Sequence, residues 1–384
     1  MRRAAALAVL ALAGCGGGGH HAAPTPTPRP PHGRAPAPTA DQQIEVLLRD
    51  RASALKAGRR PPGGTGRQRA LDRLAAERIR PLHVRGLQVE AGRIAVHGAR
   101  ARTRVTERYW LASVGGTFQS TRRVELVRRR GTWRVAAVAG RRGLPPWDVG
   151  AYDEHRTPHF VVLAPRGAPV AELTTALEDG YAAMRARLTS GRLRRRYLVI
   201  ATADAAQARA LTTEIRGVET LAAVSDAAIV ERGPAERVVR VVSLRLLVVS
   251  PAFAALGPED RRRTVTHELT HAALAGSTSG RTPSWLVEGV AMYVSGDRRA
   301  APASPDLAAL SDPAAIGRLS GPAQSDAYAA ASAAAFAIVD RFGAAKLLDL
   351  YDSFNDASLR GKPGARLADR ALHRVLGIRL SDLV

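Results

Sequence analysis

Residues 264–294 read TVTHELTHAALAGSTSGRTPSWLVEGVAMYV. Two histidines, His267 and His271, stand four positions apart, and Glu268 directly follows the first. From 264 to 275 the run contains neither proline nor glycine, so it can continue as one helix. Positions four apart on an α-helix differ by about 40° around the axis and lie roughly 6 Å apart along it. Both imidazoles therefore reach a common point, at the distance of about 2.0–2.1 Å at which nitrogen binds zinc. Glu268 sits about 100° further round, beside that point, where a carboxylate can take a proton from water.

A catalytic zinc wants a third protein ligand and one open position. Seventeen residues after His271 stands Glu288, inside RTPSWLVEGVAMYVSG (281–296). Pro283 and Ser284 are helix-start residues, and Trp285 and Leu286 are expected to pack inward. Glu288 then points out of a second helix toward the first. This pairing of segments resembles the gluzincin metallopeptidases, and more narrowly the peptidase MA-like domains of exported bacterial proteins of actinobacterial type. In those domains a P-x-W-L-x-E-G segment supplies the third ligand. The resemblance runs from about Pro158 to the C-terminus and is specific across 264–294. It implies that His267, His271 and Glu288 hold one Zn2+ per chain, with Glu268 as general base for hydrolysis of a peptide or protein substrate.

The chain departs from that pattern in places. Thermolysin-like proteins often carry an acidic residue four positions after the ligand glutamate, and here that position is Met292. Whatever orients His271 must therefore come from elsewhere. No motif surrounds the late histidine His373. In QSDAYAAASAAAFAIVDRFGAAKLLDLY (324–351), read as a helix pair, Tyr328 has two readings: a hydroxyl donor to a developing oxyanion, or a packed structural tyrosine.

Upstream, HFVVLAP (159–165) and RRRYLVIATA (194–203) read as strands, with an amphipathic helix over 170–188 between them. ERVVRVVSLRLLVVSPAFAAL (236–256) reads as one long strand or a hairpin arm leading into the histidine helix. If 238–249 forms a sheet edge, it is placed to take an extended substrate by β-addition. The resemblance implies that these elements belong to a metallopeptidase-like domain over 152–384, with a mixed sheet and active-site helices.

Residues 41–146 form a smaller α+β unit. Helical patterns over 41–58 and 68–79 precede three period-2 segments, at 102–113, 118–131 and 132–140. Helices followed by such a meander resemble NTF2-like or cystatin-like modules, and no catalytic constellation is visible in it. GRRGLPPWDVGAYD (140–153) marks the boundary, with Trp147 read as packed at the seam. The fold class is thus α+β throughout.

The N-terminus, MRRAAALAVLALAGCGGGG, has a charged start and an apolar run too short to span a bilayer. It ends in Leu12-Ala13-Gly14-Cys15, which looks like a bacterial lipobox. Residues 1–14 are read as a lipoprotein signal peptide, and 15–40 as a lipidated Cys15 and a Gly/Pro-rich tether. Tether histidines His20, His21 and His32 are read as solvated. The resulting location is the outer face of the cytoplasmic membrane.

The single cysteine excludes an internal disulfide framework. A formal charge of +23 arises from 57 basic and 34 acidic residues, mostly arginine. GC-rich coding accounts for abundant Arg, Ala, Gly and Pro, and attraction to anionic lipid is the second reading. With no basic heptads, zinc-finger spacing or aromatic-plus-basic stacking pattern, no nucleic-acid partner is expected. Against the peptidase stand two alternatives: a non-catalytic envelope lipoprotein with a binding domain of this type, and a zinc hydrolase acting on another envelope amide.

Overall fold

Strict alternation builds the first sheet. In β3 (Arg100–Leu111) every odd position is buried while the even ones face outward or sit half-covered, as expected of a strand with one face on a core. The computed structural model describes residues 37–383 apart from 113, 141, 189, 213–220 and 234–235. The leader, Cys15 and most of the tether lie outside the described residues. Thr39 onward forms one compact unit of mixed α+β structure with two sheets.

Helix α1 (Ala40–Lys56) starts on a capping box, in which the Thr39 hydroxyl accepts from the Gln42 amide and the Gln42 side chain accepts from the Thr39 amide. With α2 (Gly66–Ile79) it covers an antiparallel sheet of β1 (Val84–Ala91), β3, β4 (Phe118–Arg129) and β5 (Thr132–Ala139), in that order. A short β2 (Ala95–His97) also pairs with β3. Ile44 and Leu48 of α1 meet Val105, Val124 and Val135 of the sheet in one apolar cluster. A single turn, α3 (Pro146–Val149), leads out of this part. Trp147 there is fully buried, edge-on to Tyr109 at 4.8 Å between ring centroids.

The second sheet runs β6-β7-β8-β10-β9, with β6 (Tyr152–Arg156), β7 (Phe160–Pro165), β8 (Tyr197–Thr202), β9 (Ala223–Arg232) and β10 (Arg237–Val249). The inner pairs β7–β8 and β8–β10 are parallel, and both outer pairs are antiparallel. Burial on both faces explains why β7 and β8 read as unbroken apolar runs. Phe160, Val162, Tyr197 and Val199 pack into the helical core. Val161, Leu163, Leu198 and Ile200 pack with Leu82, Tyr109, Phe118 and Trp147 from the first part. Segments 41–146 and 152–384 thus share a core across the Pro/Gly-marked junction.

Strand 238–249 is not an edge. It lies within β10, hydrogen-bonded to β8 on one side and β9 on the other. The edges are β6 and, beside β10, β9, for which the sequence offers little signal, since Ala223 is its one buried residue.

Helices α4 (Ala171–Arg187), α7 (Pro258–Leu274), α8 (Ser284–Ser295), α9 (Gly321–Phe342), α10 (Ala344–Ser353) and α11 (Ala365–Leu376) contribute to the helical core. Between them in the chain fall the shorter α5 (Ala205–Leu211) and α6 (Ser250–Ala254). Two glycines let this layer close. A Cβ on Gly180 of α4 would lie 2.6 Å from Val265 Cγ1 of α7. A Cβ on Gly289 of α8 would lie 2.5 Å from the Ala331 carbonyl oxygen of α9. Helices α8 and α9 therefore approach at their backbones beside the residue that carries Glu288.

Candidate metal centre

Helix α7 begins with Pro258 in its first turn, followed by Glu259 and Asp260, whose charges favour the positive end of the helix dipole. Its inner face buries Val265 and Leu269. The buried hydroxyls of Thr266 and Thr270 donate back to the carbonyls of Arg262 (2.7 Å) and Thr266 (2.8 Å) within the helix, and the Thr266 hydroxyl also lies 3.4 Å from the Gly180 carbonyl of α4. His267 and His271 are thereby left at the border of the core, each part-buried.

Helix α8 is pinned at its start. The Ser284 hydroxyl donates to the Leu310 carbonyl at 2.8 Å, and the Trp285 indole N–H to the Ser311 hydroxyl at 3.2 Å. Trp285 and Leu286 are fully buried, as their apolar character predicts. The loop before α8 is held by Arg281, itself buried, which donates to the carbonyls of Leu359 (2.5 Å), Phe354 (2.8 Å) and Asp356 (3.2 Å). Glu288, one turn into the helix, faces α7.

Three donor atoms converge as a result. His267 Nε2 lies 3.1 Å from Glu288 Oε2, His271 Nε2 lies 3.4 Å from the same oxygen, and the two Nε2 atoms are 3.0 Å apart. A tetrahedral ion with bonds of about 2.0–2.1 Å requires donor separations of roughly 3.3 Å. The set therefore fits a divalent ion such as zinc, in chemistry and in spacing. It is also the one grouping of three His, Cys, Asp or Glu ligand atoms found among the described residues. The rings meet edge to face, at 81°.

Electrostatics in the metal-free protein follow from this crowding. Burial works against a charged His271, yet the Glu288 carboxylate beside it overrides burial and raises its pKa to about 9. Burial likewise disfavours the Glu288 anion, but His271 and the hydrogen bonds from both rings hold it well below the usual carboxylate range. For Glu268 burial wins and raises its pKa, against the opposing pull of the two histidines.

Glu268 does not join the donor set. Its Oε2 accepts a 2.7 Å hydrogen bond from the backbone amide of Ser225 on the edge strand β9. His267, Glu268 and Tyr328 line one cleft of about 460 Å3, which also takes in Met292, Arg263 and Arg299. Tyr328 is half-buried there, with the Arg299 guanidinium 6.0 Å from its ring centroid. Burial raises the Tyr328 pKa, so its hydroxyl keeps its proton at neutral pH. Met292 is buried on α8, one turn beyond Glu288, and brings no charge to the donor set. Sequence reasoning missed Ser225 and Arg281; a backbone donor leaves no residue signature, and one arginine among so many carries none. No protein-family model matches the chain, and comparison with curated proteins and solved structures returns no match.

Proposed function

We propose that this protein is an extracytoplasmic zinc-dependent peptidase of gluzincin type. The observation that carries this reading is the convergence of His267, His271 and Glu288 from two helices, with Glu268 beside them but not among them. On this reading 152–384 is a gluzincin-like domain and 41–146 an NTF2-like module. Zinc held by these three side chains supplies a Lewis acid that polarises the scissile carbonyl and acidifies water.

The remaining work belongs to the chain. Glu268 takes the proton of the attacking water as the water oxygen bonds to the carbonyl carbon. It delivers that proton to the leaving nitrogen as the C–N bond breaks. The Ser225 amide fixes one oxygen of Glu268 so that the other is free to act. The Tyr328 hydroxyl, protonated and on the cleft wall, is the donor for the developing oxyanion. An extended peptide adds along β9, whose start borders the same cleft. An intact, positioned Glu268 favours an enzyme over a binding domain, which has no physical need for a base there.

The test is digestion of a peptide library by the full chain with and without chelator, alongside zinc analysis. About one zinc per chain and chelator-sensitive cleavage are expected. A folded chain that resists zinc loading overturns the reading, and a zinc-loaded chain that cleaves no peptide turns it toward another amide.

Membrane attachment through a lipidated Cys15 is part of the proposal, supported by the charged start, short apolar run and Leu-Ala-Gly-Cys ending. Cys15→Ser is expected to move the protein from the membrane fraction to the soluble one. Unchanged sedimentation with membranes would show a different anchor.

A further inference from the structure

Among the described residues, six buried side-chain polar atoms lack a hydrogen-bond partner, and four of them belong to the first part: Asp72 Oδ2, Ser120 Oγ, Trp133 Nε1 and Trp147 Nε1. Asp72 and Trp147 line a cavity of about 240 Å3 between α1, α2 and the inner face of the first sheet. Ser120 is the cross-strand neighbour of Glu107, which lines it too. Ser120 and Trp133 do not themselves line it, so two of the four orphaned groups, on Asp72 and Trp147, stand at the hollow, where an unmade buried donor or acceptor costs free energy.

The cavity wall is unusual in its charge. Arg51 pairs with Asp72 at 2.7 Å, and Arg122 forks between Glu107 and Asp148. Arg78, half-buried on α2, also lines the cavity and pairs with no carboxylate among the described residues. Three guanidinium groups therefore face three carboxylates, and the balance is neutral. The rest of the wall is aliphatic, including Leu48, Val105 and Val124. The Arg122 fork has a structural use, since it ties α3 to β4. That use engages neither Arg78 nor the orphaned atoms.

A neutral wall bearing both signs of charge, over an aliphatic interior, suits a ligand with the same make-up. The volume lies below the ~300–1,000 Å3 of pockets for drug-sized molecules. We propose that the cavity binds a free α-amino acid with an apolar side chain, its carboxylate on Arg78, its ammonium on the Glu107 and Asp148 side, and its side chain against Val105 and Val124. The site is separate from the metal centre and stands whether or not the chain is a peptidase. It gives the first part a binding role.

Calorimetric titration of the full chain with L-leucine and L-phenylalanine tests this. Two truncated analogues of leucine serve as controls: 4-methylpentanoate, which lacks the amine, and 3-methylbutylamine, which lacks the carboxylate. One saturable site per chain is expected for at least one amino acid, with each analogue about tenfold weaker or worse, as the loss of a charged hydrogen bond implies. Arg78→Met is expected to weaken leucine about tenfold and leave 3-methylbutylamine unchanged. Val124→Phe, which fills the hollow, is expected to abolish binding; should it not fold, the Arg78 variant at the half-buried wall decides. A chain with a cooperative melt that binds neither amino acid, or analogues that bind as well as leucine, would overturn the proposal and leave the cavity to water alone. So would leucine binding undiminished by Arg78→Met.

Discussion

Glu268→Gln is expected to leave zinc content near one per chain while lowering peptide hydrolysis by about 10²–10⁴-fold, the range that a positioned general base contributes. Glutamine keeps the shape of the side chain and can still accept the Ser225 amide hydrogen bond, now 2.7 Å long at Oε2. What it loses is the ability to take a proton. Glu268 lies outside the converging donor set, so the metal should stay. The diagnostic outcome is therefore a split between stoichiometry and rate, measured by elemental analysis and initial velocities on one preparation. Activity surviving at the parent level would assign the base to another group. Loss of zinc together with activity would place Glu268 among the ligands.

Glu288→Ala carries the second large effect. Zinc affinity is expected to fall on the order of 10³-fold, the share of one ligand in a binding free energy of about 10–16 kcal/mol. Competition against a chromophoric chelator measures it. The same substitution removes the charge that keeps His271 protonated, which gives a second, independent readout. In the parent protein without metal, the His271 pKa rises from 6.5 to about 9 because Glu288 outweighs the penalty of burial. A raised pKa means that the protonated pair stabilises the metal-free fold fully below 6.5 and ceases to do so as pH climbs through about 9. Zinc must displace that proton, so parent affinity should rise about tenfold per pH unit through the neutral range and level off near 9. In Glu288→Ala that slope should flatten near neutrality. A parent affinity indifferent to pH between 7 and 9, or a variant that binds zinc as tightly as the parent, would remove Glu288 from the centre.

Much of this site was legible in the sequence because each part has a local cause. The helical pitch brings His267 and His271 to one point whatever the tertiary structure. Pro283, Ser284, Trp285 and Leu286 fix where α8 starts and which side it buries, and Glu288 follows from that. Alternation likewise announced β3, β4 and β5, and unbroken apolar runs announced β7 and β8. The illegible features depend on distant partners. β9 mixes small, polar and apolar residues without a clean alternation and buries only Ala223, so little in AVSDAAIVER marks it as a strand, still less as the edge that supplies an amide to Glu268. Substrate addition along 238–249 requires that stretch to form an edge; β10 lies inside the sheet, where its length and apolarity suit it. The junction at 140–153 reads as a linker by its prolines and glycines, yet Trp147 within it is fully buried in a core fed from both sides.

Gly180 and Gly289 have an effect beyond packing. Where one helix rests directly against another's main chain, there is little yielding material underneath, so the imidazoles and the carboxylate stand on a stiff base before any ion arrives. Capture should then be governed by how fast the cation sheds its hydration water, not by chain rearrangement. On the proposed metal reading, the close donor spacing would also disfavour an ion that seeks six to eight oxygens at about 2.3–2.6 Å, as calcium does.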